Sequence, residues 1–148
     1  MTQELILEAM YKQGREDAFE LQAMSTVMDG TALCQEADII PEFKAAKTVM
    51  NMQERAKGFV CKSSAGRVVQ LIQPYDSDAF PQEPEELSAQ WGFKWSHEPE
   101  HALPFVAIST SPYMKGDCCL NEAGEARRSC IDNNVWSPDV ASEYWEEA

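Results

Sequence analysis

Two pairs of glycines, each eight residues apart, set the strongest limit on what this chain can fold into. Gly58 and Gly66 form one pair and Gly116 and Gly124 the other, with an offset of 58 residues between pairs (116 − 58). Tight hairpins often demand a positive φ that glycine adopts without strain, so glycines at matching places point to matching turns. After each second glycine comes a short strand-like run ending in an aliphatic pair or near-pair, Leu71–Ile72 and Cys130–Ile131. A polar loop containing proline follows, and each copy closes on a tryptophan, Trp91 and Trp145. The expectation is a diverged duplication of one small β module.

The local texture agrees. Residues 58–73, GFVCKSSAGRVVQLIQ, hold two β-branched runs separated by SSAG, which is a hairpin signal. Pro74, Pro81, Pro84 and Pro99 punctuate a loop-rich stretch around WGFKW at 91–95. Residues 104–148 repeat the theme, with the apolar run FVAI, a turn around SPY, a strand near CCL, the turn NEAG and then RRSCI. Ahead of both modules, residues 3–28 read as a helix. Leu7, Met10, Gly14, Asp17, Leu21, Met24 and Met28 fall at alternating three- and four-residue steps, and Ile6, Ala9, Ala18 and Phe19 widen the apolar face. Such a helix either packs on its own domain or self-associates, for instance as a trimer. Asp29 or Thr31 can cap a second short helix through Asp38, which Pro41 ends. The fold class expected is therefore α+β, organised as a helical segment (1–41), a diverged β module (42–98) and a second β module (99–148).

Charge narrows the partners. The 25 acids and 12 bases leave a net charge of −13. Nucleic acid and anionic membrane surfaces both call for a basic face, so neither is an expected partner. Residues 1–42 sum to −7 (nine acids, two bases), 43–98 to zero (seven of each) and 99–148 to −6 (nine acids, three bases). No apolar run approaches the ~20 residues of a membrane span. The opening MTQELILEAMYKQGRED lacks a basic stretch followed by an apolar core, so synthesis in the cytoplasm without a signal peptide is expected.

Chemistry-bearing groups are few. The five cysteines include no CxxC pair, and the odd count favours reduced thiols used as small apolar side chains. Pro99 separates His97 from His101 and breaks the helix that would bring both rings to one metal. Carboxylates abound in EPEEL and EYWEEA, but these runs look solvated, whereas a general acid needs an apolar cleft. There is no G-x-S-x-G, no P-loop and no patterned nucleophile beside either histidine. The expectation is a non-enzymatic protein without cofactor or metal.

Residues 113–145, Y-M-K-G-D-(x)7-G-E-A-R-R-S-C-I-D-N-N-V-W-S-P-(x)6-W, resemble small carbohydrate-binding modules of the chitin-binding type, families five and twelve. A variant with a similar N-V-W-x-P loop occurs in tail-associated proteins of bacteriophages and prophages. The resemblance is good over the last forty or so residues and weak over residues 55–91. It implies a small twisted antiparallel sheet in which Trp136 is exposed and stacks on a sugar. It makes Tyr113, Gly116, Gly124 and Trp145 structural anchors, with Trp91 anchoring the first copy. Where the family carries an aromatic three residues after the second glycine, this chain has Arg127 and, in the first copy, Val69.

Independently of any family, a flat aromatic ring covers the C–H face of a sugar at little entropic cost. Trp136 sits between the polar DNN and SPD, so it is either a ligand platform or a plug for the small core. Asn133 and Asn134 either hydrogen-bond sugar hydroxyls or cap turns through their own backbone. The expected carbohydrate-contacting set is Trp136, Asn133, Asn134 and Tyr144. In the first copy only Tyr75 or Phe80 is near the corresponding loop. Taken together, these features lead to the expectation of a phage or prophage tail-associated protein, a tail-fibre or baseplate accessory in the virion. Its expected partners are a polysaccharide or cell-surface glycan, other tail proteins and further copies of itself through residues 3–28. A purely structural virion protein and a polysaccharide-binding accessory of a secreted hydrolase are the alternatives.

Overall fold

The computed structural model describes residues 19–148. The expected helix over 3–28 lies mostly outside these residues; within them, residues 19–24 are helical and the chain then turns. The helix therefore ends four residues before Met28, because local bonding favours a tighter turn. Ser25 N–H and Val27 N–H reach back three residues to Gln22 O and Met24 O, and Ser25 Oγ bonds both Gln22 O and Gly58 O. Of the expected seam, Leu21 is buried, Met28 is half-buried and Met24 is exposed, as is the flanking Phe19. Leu21 packs with Leu33, Cys34, Ile40, Val60 and Val68 of this same chain.

Helix α1 (Gly30–Gln35) starts where the Asp-Gly pair places it, with Asp29 Oδ1 accepting Ala32 N–H at 2.8 Å. A 3-10 turn (Ala37–Ile39) follows and stops before Pro41. Helix α2 (Phe43–Val49) lies inside the stretch read from sequence as purely β and is a correction to that reading. Its Phe43 and Ala46, three apart, bury one face against the first sheet.

Two three-stranded antiparallel sheets follow, so the α+β class holds. The first orders β1 (Val60–Lys62), β2 (Val68–Leu71) and β3 (Trp91–Lys94) consecutively, with Cys61 opposite Val69 and Leu71 opposite Trp91. The second orders β4 (Cys118–Leu120), β5 (Ala126–Ser129) and β6 (Trp145–Glu147) in the same way, with Cys119 opposite Arg127 and Ser129 opposite Trp145. The FVAI run forms no strand; Pro104 just before it makes a parallel bridge with Leu120, and Phe105 N–H bonds Leu120 O at 3.0 Å.

The two halves share a bonding pattern well beyond the glycines. At an offset of 58, Gly58 N–H bonds Leu71 O and Gly116 N–H bonds Ser129 O, while Gly66 N–H bonds Ser63 O and Gly124 N–H bonds Asn121 O. All four glycines have positive φ, between 79° and 97°. At an offset of 62, Ile40 N–H bonds Ala37 O as Ala102 N–H bonds Pro99 O, and the acceptors Pro41 O and Leu103 O take Lys62 N–H and Leu120 N–H, donors that are themselves 58 apart. At an offset of 54, Glu86 N–H bonds Glu83 O as Val140 N–H bonds Ser137 O. The buried Pro84 thus corresponds to the buried Pro138, Ser88 to Ser142 and Trp91 to Trp145. This register corrects one detail: Leu71–Ile72 matches Ser129–Cys130 rather than Cys130–Ile131. The offset falls by four twice because two loops of the first half are four residues longer.

The entrance to each first strand is closed differently. Cys118 N–H bonds Ser96 O, whereas the equivalent Val60 N–H bonds Gln22 Oε1 at 2.8 Å while Gln22 Nε2 bonds Val60 O at 2.7 Å. One side-chain amide thereby satisfies an edge that a backbone segment satisfies in the second half. Phe43 meets Trp91 edge-on at 5.7 Å, and Phe105 meets Trp145 edge-on at 6.0 Å. Between the two cores, Phe93, Trp95, Tyr113 and Phe105 stack in sequence, with centroids 5.7, 4.2 and 5.4 Å apart.

Candidate functional site

Trp136 belongs to the loop between β5 and β6, and the backbone there is held from both sides. Tyr113 N–H bonds Asn134 O at 3.0 Å and Asn134 N–H bonds Tyr113 O at 2.8 Å, a short antiparallel bridge that ties the loop to the chain ahead of β4. Trp145 Nε1–H bonds Trp136 O at 2.8 Å. The buried indole of Trp145 therefore pins the carbonyl of the residue whose own indole points outward. Trp136 is 47% exposed, and its ring lies tilted against Tyr144 at 5.2 Å. Tyr144 is half-buried. A half-exposed indole on a clamped backbone presents a fixed apolar face with a phenol beside it, an arrangement suited to covering a ring of C–H groups.

The two asparagines separate. Asn133 takes a φ of 55°, a conformation asparagine tolerates better than most residues, and leaves its side chain exposed. Its N–H meets Met114 Sδ at 3.4 Å. Asn134 is fully buried, which corrects its expected role as a sugar contact. Its Nδ2 donates to Ser129 Oγ at 3.0 Å and Tyr144 O at 3.3 Å, and its Oδ1 accepts Trp136 N–H at 3.2 Å. The side chain is a bracket within the loop and has no face left for a ligand. Asp132 likewise caps a turn, accepting Lys115 N–H at 3.0 Å.

The remaining expected anchors sit inside or at turns. Tyr113, Trp145 and Trp91 are buried, and Gly116 and Gly124 have positive φ. Burial also pushes the Tyr113 phenol well above its usual range. In the first half the positions equivalent to Trp136 and Tyr144 are Gln82 and Gln90 (136 − 54 and 144 − 54). Tyr75 is buried, with its hydroxyl accepting Trp91 Nε1–H at 3.0 Å, and Phe80 stands exposed alone. The aromatic pair thus belongs to the second half. Sequence reasoning missed Met114 and Val140, both exposed apolar side chains on or next to this loop, because nothing in their spacing marks them.

Other reactive groups are engaged in structure. His97 Nε2 lies 3.3 Å from Asp117 Oδ1 and His101 Nδ1 lies 3.0 Å from Glu98 Oε2, so the two rings serve separate partners. Burial raises the Asp117 carboxyl, only partly offset by the Met114 N–H that its Oδ2 accepts and by His97. Arg127 and Arg128 stand opposite Glu147 and Glu146, and Arg127 Nη2 pairs with Glu125 at 3.7 Å. All five cysteines are free thiols. Burial pushes Cys34 up to about 11 and Cys119 to about 12, and raises Cys61 and Cys118 as well. Thiols so shifted are poor nucleophiles. Among the described residues no three His, Cys, Asp or Glu side chains gather as a metal would require, and no helix is long and apolar enough to cross a membrane. Comparison of the chain with protein-family models, curated proteins and solved structures finds no match.

Proposed function

We propose that this protein is a non-enzymatic carbohydrate-binding component, with Trp136 as the stacking platform, Tyr144 beside it and Asn133 at its rim. The observation that carries this reading is the half-exposed Trp136 indole on a backbone clamped by Trp145 Nε1 and the Asn134 side chain. A small apolar core has every reason to bury an indole, and this loop instead holds its tryptophan outward while burying the neighbouring asparagine. The resemblance of residues 113–145 to chitin-binding-type modules supports the same reading. It also supports placement in a phage or prophage tail, with the tail-fibre or baseplate accessory contacting host glycan.

A second reading rests on Met114 and Val140, which add exposed apolar surface to the same loop region. They favour a structural role in which the patch meets another tail protein. Pull-down on insoluble polysaccharides and glycan-array binding with the wild type and Trp136→Ala separate the two. Stacking is worth roughly 1–3 kcal/mol where an aromatic carries a planar contact, so retention should fall about five- to a hundredfold. Equal retention of both proteins, or none by either, removes the platform and leaves the protein-contact reading.

A further inference from the structure

Where the entrance of the second half meets the hairpin of the first, packing leaves a cleft of about 220 Å³. Its walls come from α1 through Cys34, from β2 through Val68, from Trp95 just after β3, and from Ala102, Leu103 and Cys118 of the second half. Neither half forms the cleft alone. The two thiols turn their hydrogens to the walls, Cys34 to Lys94 O at 3.8 Å and Cys118 to His97 O at 3.5 Å, so they offer no strong donor to a guest. The Arg67 guanidinium, also in the lining, is already held by Glu85 at 3.2 Å and Pro104 O at 2.6 Å.

Size and charge define what fits. An apolar cavity of about 150 Å³ holds a benzene ring, whereas drug-sized ligands take pockets of about 300–1,000 Å³. A volume between these accepts one ring or a fused pair and is too small for an oligosaccharide. The ionisable groups of the lining are of both signs, Glu100 beside Lys94, His101 and the Glu85-paired Arg67, and the wall between them is mostly apolar. A carboxylate guest gives up its hydration against that apolar wall, and a neutral one loses far less.

We propose that the cleft between the two halves binds a small neutral aromatic molecule, of phenol to indole size, gripped by side chains from both halves. None of the lining residues belongs to the Trp136 platform, so this site stands or falls separately from the carbohydrate reading. Because both halves supply walls, occupancy also ties them together and raises the stability of the whole chain.

Titration of the full chain with indole and phenol, followed by amide chemical shifts, tests this. Shifts should concentrate at Val68, Ala102 and Leu103 and saturate with Kd at or below about 1 mM, with benzoate at least about tenfold weaker. Ala102→Leu and Ala37→Leu each fill part of the cleft from a different element. Whichever variant keeps the wild-type thermal midpoint should bind indole at least about tenfold less well. Absence of localised shifts at 5 mM probe (about five times the expected Kd) overturns the proposal. So does benzoate binding equal to indole, or undiminished indole binding by a filled, folded variant.

Discussion

Replacing Asn134 by alanine tests whether this residue is a bracket or a ligand contact. The substitution deletes two donated bonds, to Ser129 Oγ and Tyr144 O, and one accepted bond, from Trp136 N–H. At about 1 kcal/mol net per buried hydrogen bond the sum is about 3 kcal/mol. The partners lose less than their full share, however. Ser129 Oγ keeps its bond to Ile131 O at 2.7 Å, Tyr144 O keeps Cys130 N–H at 2.9 Å, and the Trp136 N–H bond is only part-buried. The expected loss is therefore about 2 kcal/mol, seen as a fall of about 4–8 °C in thermal midpoint or a lower urea midpoint at unchanged slope. Asn133→Ala serves as the contrast. It removes no side-chain hydrogen bond and should cost under about 1 kcal/mol, nearly all of it from the strain of a positive φ without asparagine. If Asn134→Ala loses less than about 0.5 kcal/mol, the buried bracket does not hold the loop and the platform argument loses its mechanical basis.

Two further outcomes follow from close packing and burial. Gly30→Ala should destabilise the chain by about 1–3 kcal/mol in urea titration, although the same change in a free helix stabilises by about 1. A Cβ there would stand 2.1 Å from Trp95 O, a backbone atom that cannot swing aside, so a neutral or stabilised variant contradicts the fit of α1 on the segment after β3. In Ellman's titration at pH 8, one thiol of the five should react quickly, that of the half-buried Cys130, and four only on unfolding. A pKa of about 11 leaves Cys34 about one part in a thousand thiolate at that pH, and a second fast equivalent that survives Cys130→Ser refutes the burial of the other four.

Much of the sheet architecture could be read from the sequence because it depends on residues whose backbone needs are peculiar. Four glycines at positive φ and two tryptophans facing the last residue or near-last residue of a strand locate both hairpins and both closing strands. The extent of the repeat could not be read, since three different offsets are needed and no single comparison displays them. Helix α2 was hidden for a related reason: FKAAKTV is seven residues with only two buried, too short for a periodic signal, and its helicity comes from docking on Trp91 and its neighbours. The heptad over residues 3–28 misled at its end because spacing says which side chains share a face and nothing about where a turn is forced; Ser25 and Gln22 are committed to the first sheet. At the candidate site, Asn133 and Asn134 are indistinguishable by type. Only the loop's path, left-handed at one and inward at the next, gives one to solvent and the other to the core.

The two halves solve the problem of small size unequally. A module of about fifty residues buries too little apolar surface to be secure alone. The first half meets this with a helix, α2, and a core of Phe43, Met52, Val69, Leu71 and Trp91. The second buries Tyr113, Cys119 and Trp145, with its own Phe105 and Tyr144 partly buried against them. Trp95 packs against both cores and, through its 4.2 Å stack on Tyr113, carries the first core into the second. That shared ring explains how the second half can hold Trp136 outward. The burial that an isolated module would need from its own tryptophan comes instead from its neighbour, and the Trp136 indole is left half-exposed.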